Sequence, residues 1–566
     1  MQTPSRFVLF VLASSLATAE HPRLAVDLDT SNPDLMVEVI VKVKAGAQER
    51  SLEKMRSHGA HHLASLDLIE SQLVRVRAGD LEQLAGDPDV EHIAPNRQVE
   101  GTKYYGGPDY GWMVTQGFTS IGSTLPYDGT GIGIAVLDSG ISALPDLRNA
   151  AGVSRIVYSQ DFTGSKSATD NHGHGTMVAG VLAGNGSQSN LPDTTYLMRG
   201  TATNANLIAF KVLNDRGVGT DSAVINAIAR AISLKTKYNI RVINLSLGRP
   251  IASSYVHDPL CQAVKQAWDA GIVVVVAAGN QGRNNTKNTN GYGTIASPAN
   301  SPYVITVGAY NTSSTLPMGD DKMTSYSSKG PTNIDHIVKP DLVAPGNRIL
   351  SLRVKNSYLD KEYEENIVPS AAYSASGNNG NGNAAYFQLS GTSFAAPAVS
   401  GAAALLIQKN PSLTPDQVKA ILMKTASRLP QGTSTAVDPH SGTQYRMTND
   451  IFTVGAGLLN VSSALGSQEL LTGSAMSPTA VYNVSSGVSL QFPTGSGIVW
   501  GTGIVWGTGI VWGTNTLQTN GIVWGTGIVW GTSTNAGFGI VWGTGIVWGT
   551  GFAAAELENV AINGEN

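Results

Sequence analysis

The hydrophobic pattern changes period as it runs along the chain. Val37, Val39, Val41 and Val43 alternate with Glu38, Ile40, Lys42 and Lys44, the period of a half-buried strand. Gln48–Ser57 then reads as a helix, Leu73–Arg77 as a second strand, Asp80–Ala85 as a short helix and Val90–Ile93 as a further strand, with turn residues between them. These elements predict a small α/β domain of ferredoxin-like type.

From Gly131 the strands become apolar throughout: Ile132–Leu137, Leu207–Leu213, Val242–Leu247, Ile272–Ala278 and Val304–Val307. Runs of this kind suit a parallel sheet covered on both faces. Ser222–Thr236 and Pro259–Ala270 read as crossover helices, and Ser393–Lys409 and Thr414–Thr425 as later ones. The prediction is a large doubly wound α/β domain with a mostly parallel sheet, ending near Leu465.

The last hundred residues have another character. No Asp, Glu, Lys, Arg or His occurs from Leu470 to Ala555, and Gly-Ile-Val-Trp-Gly-Thr is repeated seven times between residues 497 and 550. Trp500, Trp506, Trp512, Trp524, Trp530, Trp542 and Trp548 are spaced by six or twelve, so the interruptions keep phase, as a structural repeat requires. In a strand Ile498 and Trp500 share one face, and an even period keeps every repeat in register. The tail is expected to be β-rich and to self-associate or bind a surface, with carbohydrate binding by the tryptophans as the alternative.

The N-terminus supplies a compartment. Arg6 precedes an apolar run from Phe7 to Leu16, and Ala17-Thr18-Ala19 offers small residues for cleavage, so residues 1–19 read as a signal peptide. The run falls short of the ~20 residues a spanning helix needs. A secreted protein, extracellular or associated with the cell surface, is expected. The expected division is then residues 1–19, 20–105, 106–466 and 467–566.

Composition removes some functions. The formal charge is −4 with a pI near 6.2, which offers no basic stripe, so nucleic acid is not an expected partner. Cys261 is the single cysteine, which rules out an intramolecular disulfide and a CxxC metal site. It falls in a predicted helix and reads as a small core residue.

Three segments place a reactive polar residue at the end of an apolar strand or the start of a helix: Gly133-Ile-Ala-Val-Leu-Asp138-Ser-Gly140, His174-Gly-Thr-Met-Val-Ala-Gly180 and Ser390-Gly-Thr-Ser393-Phe-Ala-Ala-Pro397. A serine hydroxyl is a weak nucleophile until an imidazole takes its proton. That imidazole needs a carboxylate to fix its tautomer. Asp138, His174 and Ser393 offer those three groups. Taken singly, Asp138 could cap a turn, His174 or His172 could be a loop histidine, and Ser393 could cap a helix. Three such segments in order, 36 and 219 residues apart, make coincidence the poorer explanation.

Together the segments resemble the triad signatures of subtilisin-like serine proteases, over about Gly107 to Leu465. Val343-Ala-Pro-Gly346 and Gly455–Asn460 resemble family segments as well. The resemblance implies a serine endopeptidase with a subtilisin-like fold, acting on proteins or peptides and needing no cofactor for its chemistry. It implies that Asn280, in Ala277-Ala-Gly-Asn280, is the oxyanion donor. It also implies that an extended substrate lies antiparallel between Gly217-Val218-Gly219 and Ser246-Leu247-Gly248, the glycines leaving room for the peptide. The walls of the primary pocket would be Ala277, Ala278 and Gly279, with Ala296 at its base. None of these is charged, so a large uncharged residue is expected before the scissile bond.

The first domain, by the same resemblance, is an inhibitory propeptide, the enzyme's own intramolecular partner, with processing between Gln98 and Gly107. Two features depart from the family. Phe394 follows the nucleophile where methionine is common, and Asn185–Ala202 differs from the calcium loop of many relatives. Asp146 matches a calcium ligand, leaving a structural calcium open and the metal site undetermined. The rival reading is an adhesive or assembly protein whose protease domain is inactive or only processes itself.

Overall fold

The computed structural model describes residues 22–57, 59–101, 125–193, 196–286, 288–313, 318–377, 384–429, 432–439, 441–468, 473–483, 487–491, 522–524 and 528–530. The expected signal peptide and most of the repeat tail lie outside these residues. Two compact units emerge: residues up to 65 with 70–95, and residues 66–69 with those from 96 onward.

In the first unit the order is β1 (Met36–Val43), α1 (Gln48–Ser57), β2 (His61–Leu66), β3 (Ser71–Arg77), α2 (Leu81–Ala85) and β4 (Val90–Pro95). The sheet order is β2-β3-β1-β4, the ferredoxin-like arrangement. Val39, Val41, Val43, Val74, Val76 and Ile93 close over Met55, Leu81 and Leu84 to form its core. β2 escaped the sequence reading because it is an edge strand of sequence His-His-Leu-Ala-Ser-Leu, with only Leu66 buried. Without a buried face there is no period-two signal to read.

The second unit is built on a sheet ordered β14-β13-β12-β10-β6-β8-β7. Its strands are β6 (Gly133–Asp138), β7 (Ile156–Asp161), β8 (Asn206–Lys211), β10 (Ile240–Leu245), β12 (Val273–Ala277), β13 (Ile305–Asn311) and β14 (Lys322–Met323), and β15 (Leu342–Pro345) also pairs with β13. All pairings are parallel except β13 with β14. Every residue of β6, β12 and β13 is buried, as a sheet covered on both faces demands. Among the covering helices, α3 (His174–Ala183) packs on α6 (Thr392–Lys409), and α4 (Asp221–Tyr238) on α5 (Pro259–Asp269).

A separate small sheet has the order β11-β5-β9, where β5 is Gln98–Gly101, β9 Val218–Thr220 and β11 Leu247–Gly248. β5 runs antiparallel to both neighbours.

The packed body does not stop at residue 466. A hairpin of Thr479–Asn483 with Gly487–Gln491 sets Ala480, Val488 and Leu490 against Tyr292, Ile451 and Phe452. Ser477 Oγ, just before it, donates to the buried Asp341 carboxylate at 2.6 Å. The expected boundary followed the loss of charge at Leu470, but apolar contacts and hydrogen bonds need no charged residue in the segment itself. Within the tail, Ile522–Trp524 and Ile528–Trp530 pair antiparallel.

Candidate active site

Asp138 is the last residue of β6 and His174 the first of α3. The His174 Nδ1–H donates to Asp138 Oδ1 at 2.7 Å, with both side chains buried. The same oxygen accepts from the Ser139 amide at 2.7 Å, which fixes the carboxylate. The approach of helix to strand is close because Gly175 has no side chain. A Cβ there would stand 2.2 Å from Gly140 O and 3.1 Å from Asp138 Oδ1.

Asp170 supports the histidine, and the sequence reading missed it. Its Oδ1 accepts from Ser139 Oγ at 2.9 Å and from the amide of Gly173 at 2.7 Å, while Oδ2 accepts from the Thr176 amide at 2.8 Å. Ser139 Oγ in turn accepts from the Gly175 amide at 2.9 Å. Burial pushes the Asp170 carboxyl up, opposed by these hydrogen bonds. A carboxylate at a helix N-terminus meets amides with no partner in the helix. The signal was present as an aspartate four positions ahead of His174. Lys211, fully buried, ties this region to β8 by donating to Ser139 O and Thr169 O, both at 3.1 Å, and to Asp215 Oδ1 at 2.6 Å.

Ser393 is the second residue of α6, after a left-handed Gly391 whose amide donates to Gly346 O at 2.7 Å. Its Oγ donates to Ser246 O at 3.1 Å, and Ser246 Oγ donates back to Ser393 O at 2.7 Å. The next side chain, Phe394, is buried with its ring 5.4 Å from the His174 ring, centroid to centroid. His174 Nε2 is buried and makes no hydrogen bond among the described residues. Thus Asp138 and His174 are joined, whereas the Ser393 hydroxyl is turned to Ser246 O. His172 is buried, stacked on Tyr358 with ring centroids 5.6 Å apart.

Asn280 is placed by the end of β12. Its Oδ1 accepts from the Thr392 amide at 2.9 Å and from Thr392 Oγ1 at 3.0 Å. With Oδ1 engaged next to Ser393, the Nδ2 end is the part of the amide able to donate. The Ala296 Cβ lies where a side chain on either Gly248 or Gly279 would fall, 2.9 Å and 3.3 Å from the respective Cβ positions. Ala277 and Ala278 are buried, and the Ala278 carbonyl accepts from the Ala296 amide at 3.0 Å.

The two expected binding segments flank β5, with Gly219 opposite Val99, Val218 opposite Glu100, Gly248 opposite Glu100 and Leu247 opposite Gly101. The reason for the glycines differs from the expectation. A Cβ on Gly219 would strike Val212 O at 2.2 Å, and one on Gly248 would meet Ala296 and Ser297 O, so the close approach is to the protein's own backbone. Gly217 holds a φ of +75°, a turn position suited to glycine.

With this geometry in place, comparison with known proteins decides the family. The profile of the subtilase family matches residues 129–456. The chain belongs to the subtilase family. Its peptidase domain is that of a serine endopeptidase. Serine protease AprX of Bacillus subtilis (strain 168) is 42% identical over 305 residues, 52% of this subtilase and 61% of AprX. Subtilisin DY of Bacillus licheniformis is 34% identical over 339 residues, 60% of this chain and 92% of that one. Fervidolysin from Fervidobacterium pennivorans, a keratinolytic enzyme related to subtilisin, superposes with a TM-score of 0.57 at 21% identity, covering 81% of this subtilase and 64% of that chain. The match thus spans about three fifths of the length of AprX and of fervidolysin.

Asp146, the residue that matches a family calcium ligand, is held by protein donors in this subtilase. Its Oδ1 accepts from Ser187 Oγ at 2.9 Å and the Gln188 amide at 2.7 Å, and Oδ2 from Tyr386 Oη at 2.8 Å. Burial pushes its carboxyl up. These three donors take up three of the roughly four lone-pair positions of the carboxylate. Among the described residues no group of three or more His, Cys, Asp or Glu is placed to hold a metal. Cys261 is buried, its Sγ 3.1 Å from Asn300 Oδ1, and burial pushes the thiol well up.

Proposed function

We propose that the protein is a secreted serine endopeptidase, made as a zymogen whose N-terminal α/β domain is an inhibitory propeptide. The observation that carries this reading is β5, a strand of the chain's own N-terminal part, lying antiparallel between β9 and β11 as an extended substrate would. Protein or peptide substrates take that place in the processed enzyme.

In this mechanism the Ser393 hydroxyl turns from Ser246 O to His174 Nε2, gives up its proton there and attacks the substrate carbonyl carbon. Asp138 holds Nδ1–H in place, so Nε2 is the basic nitrogen, and its negative charge stabilises the imidazolium that forms. Asn280 Nδ2 and the backbone N–H of Ser393 receive the oxyanion. The proton passes from Nε2 to the leaving amine, the C–N bond breaks, and water repeats the sequence on the acyl ester. No metal enters any step. The uncharged walls formed by Ala277, Ala278 and Gly279 favour a large uncharged residue before the scissile bond.

Because Gly101 faces Leu247, the next residue toward the nucleophile on that strand is Ser246, whose carbonyl accepts the Ser393 hydroxyl. Processing is therefore expected just beyond Gly101. N-terminal sequencing of the secreted enzyme, casein hydrolysis and fluorophosphonate labelling test the proposal together. The expected result is a new N-terminus shortly after Gly101 with labelling and casein cleavage. Ser393→Ala should stay full-length and unlabelled. A correctly folded, processed chain that neither labels nor cleaves casein overturns the reading.

A further inference from the structure

The two strands that edge the cleft each run directly into a buried charge. Asp221 follows β9 and Arg249 follows β11. The Arg249 guanidinium clamps Asp221 with two hydrogen bonds of 2.9 Å and reaches Asp258 at 2.8 Å. All three residues are buried. Asp258 is further committed, accepting from Ser297 Oγ at 2.9 Å and the Leu260 amide at 3.0 Å. Two carboxylates thus share one guanidinium, which leaves one negative charge uncompensated.

The chain supplies a second guanidinium from the strand lying in the cleft. The Asp221 amide donates to Arg97 O at 2.7 Å and the Ser222 amide to Asn96 Oδ1 at 3.0 Å, continuing the register of Gln98 with Thr220 by one residue. Arg97 is only 9% exposed. Burial raises the Asp221 carboxyl to about 6 against Arg249 and Arg97. At Asp258 burial also raises, but Arg249 and then Arg97 hold the carboxyl below its usual range. Gln98, one position on, is exposed, so the burial of Arg97 is not a general property of this stretch.

We propose that Asp221 and Asp258 form an acidic subsite at the far end of the cleft, which selects substrates carrying arginine or lysine four residues ahead of the one that takes the place of Gly101. The inference rests on the peptidase reading and adds a specificity to it. In the zymogen Arg97 fills the subsite; after processing, a basic side chain of the substrate replaces it. A neutral side chain leaves the surplus carboxylate unpaired, and an acidic one adds a like charge.

The test uses the processed enzyme and three quenched fluorescent peptides. The first has the sequence of residues 96–103, Asn-Arg-Gln-Val-Glu-Gly-Thr-Lys, and the others carry Gln or Glu for the arginine. The arginine peptide is expected to exceed the glutamine peptide in kcat/KM by about ten-fold, with the glutamate peptide slower again. In Asp221→Asn enzyme the ratio of arginine to glutamine peptide should fall toward one. If that variant does not fold, the three peptides with unaltered enzyme still decide. Equal cleavage of all three by enzyme that labels with fluorophosphonate and hydrolyses casein overturns the subsite and leaves the peptidase standing. Absence of labelling and casein cleavage overturns the peptidase reading and the subsite with it.

Discussion

Replacing Gly175 by alanine adds one methyl group at the point where the strand carrying Asp138 meets the helix carrying His174. The new Cβ would lie 2.2 Å from Gly140 O, where ordinary contact begins near 3.4 Å, and the obstacle is backbone that cannot swing aside. The two elements must separate by about 1 Å, a displacement that also stretches the 2.7 Å Asp138–His174 bond beyond hydrogen-bonding range. A misplacement of that size costs about 10²-fold in turnover, and overpacking costs about 1–3 kcal/mol in stability. Gly175 lies outside β9 and β11, so KM should move little. The assay is kcat on a peptide substrate, normalised to active sites titrated by a slow fluorophosphonate, with thermal unfolding alongside. A folded Gly175→Ala enzyme whose kcat stays within about two-fold of the original refutes the claim that this contact sets the dyad.

Other perturbations separate the remaining parts. Asn280→Ala is expected to lower kcat by about 10²–10³, the loss seen when subtilisin's own oxyanion donor is removed, and to lower the unfolding temperature because two Thr392 donors lose their acceptor; an unchanged kcat would remove Asn280 from the mechanism. Asp321 is buried with neither carboxylate oxygen hydrogen-bonded to a described residue, and burial, reinforced by Asp320, raises its carboxyl to about 7. An acid whose folded pKa lies above its unfolded value contributes stability that is intact below about pH 4 and is lost as pH rises through 7, so Asp321→Asn should raise the unfolding temperature at pH 8 and change it little at pH 4. Equal shifts at both pH values would contradict this. Phe394 puts an aromatic ring beside His174 where a thioether would be oxidised, so activity should survive mild peroxide and Phe394→Met should become sensitive. Equal inactivation of both would show that oxidation acts elsewhere.

The sheet was legible because fully buried parallel strands are runs of Val, Ile, Leu and Ala. β6, β8, β10 and β12 each fall within about two residues of their sequence-derived bounds, and β13 starts within one but runs four residues further, to Asn311. Strands with one wet face were not: β7, Ile-Val-Tyr-Ser-Gln-Asp, is only partly buried, and the hairpin of Thr433–Val437 with Gln444–Thr448 is mostly polar. At the site, Asp138, His174 and Ser393 stand out in the sequence because each lies at the end or start of an element in a distinctive local sequence, and Asn280 because it follows the apolar run of β12. Asp170, Lys211, Asp221 and Arg249 do not, since part of what each holds is distant in sequence: Ser139 for Asp170 and Lys211, and the Asp221–Arg249 pair itself. Asp221 and Arg249 show this best: they follow β9 and β11, the strands expected to flank a substrate, and only the register of β5 brings Arg97 opposite Asp221.

Binding and chemistry meet in one residue. Ser246 stands between β10 and β11, so it adjoins the strand with which β5 pairs, yet its carbonyl accepts the Ser393 hydroxyl and its own hydroxyl donates to Ser393 O. Asn244 Nδ2 donates to Ser246 Oγ at 3.0 Å, while Asn244 Oδ1 accepts from Ser400 Oγ at 2.8 Å, two turns beyond Ser393 on α6. β10, the cleft edge and α6 are therefore joined by side-chain hydrogen bonds buried from water, where such bonds are strong and hold a single geometry. A peptide that pairs with β11 pairs with a strand already tied to the nucleophile. The distance from its carbonyl to Ser393 is then set by the strand register, not by the side chain in the pocket. On the proposed reading, the uncharged pocket and the acidic subsite differ in what they select while delivering every substrate to the same hydroxyl.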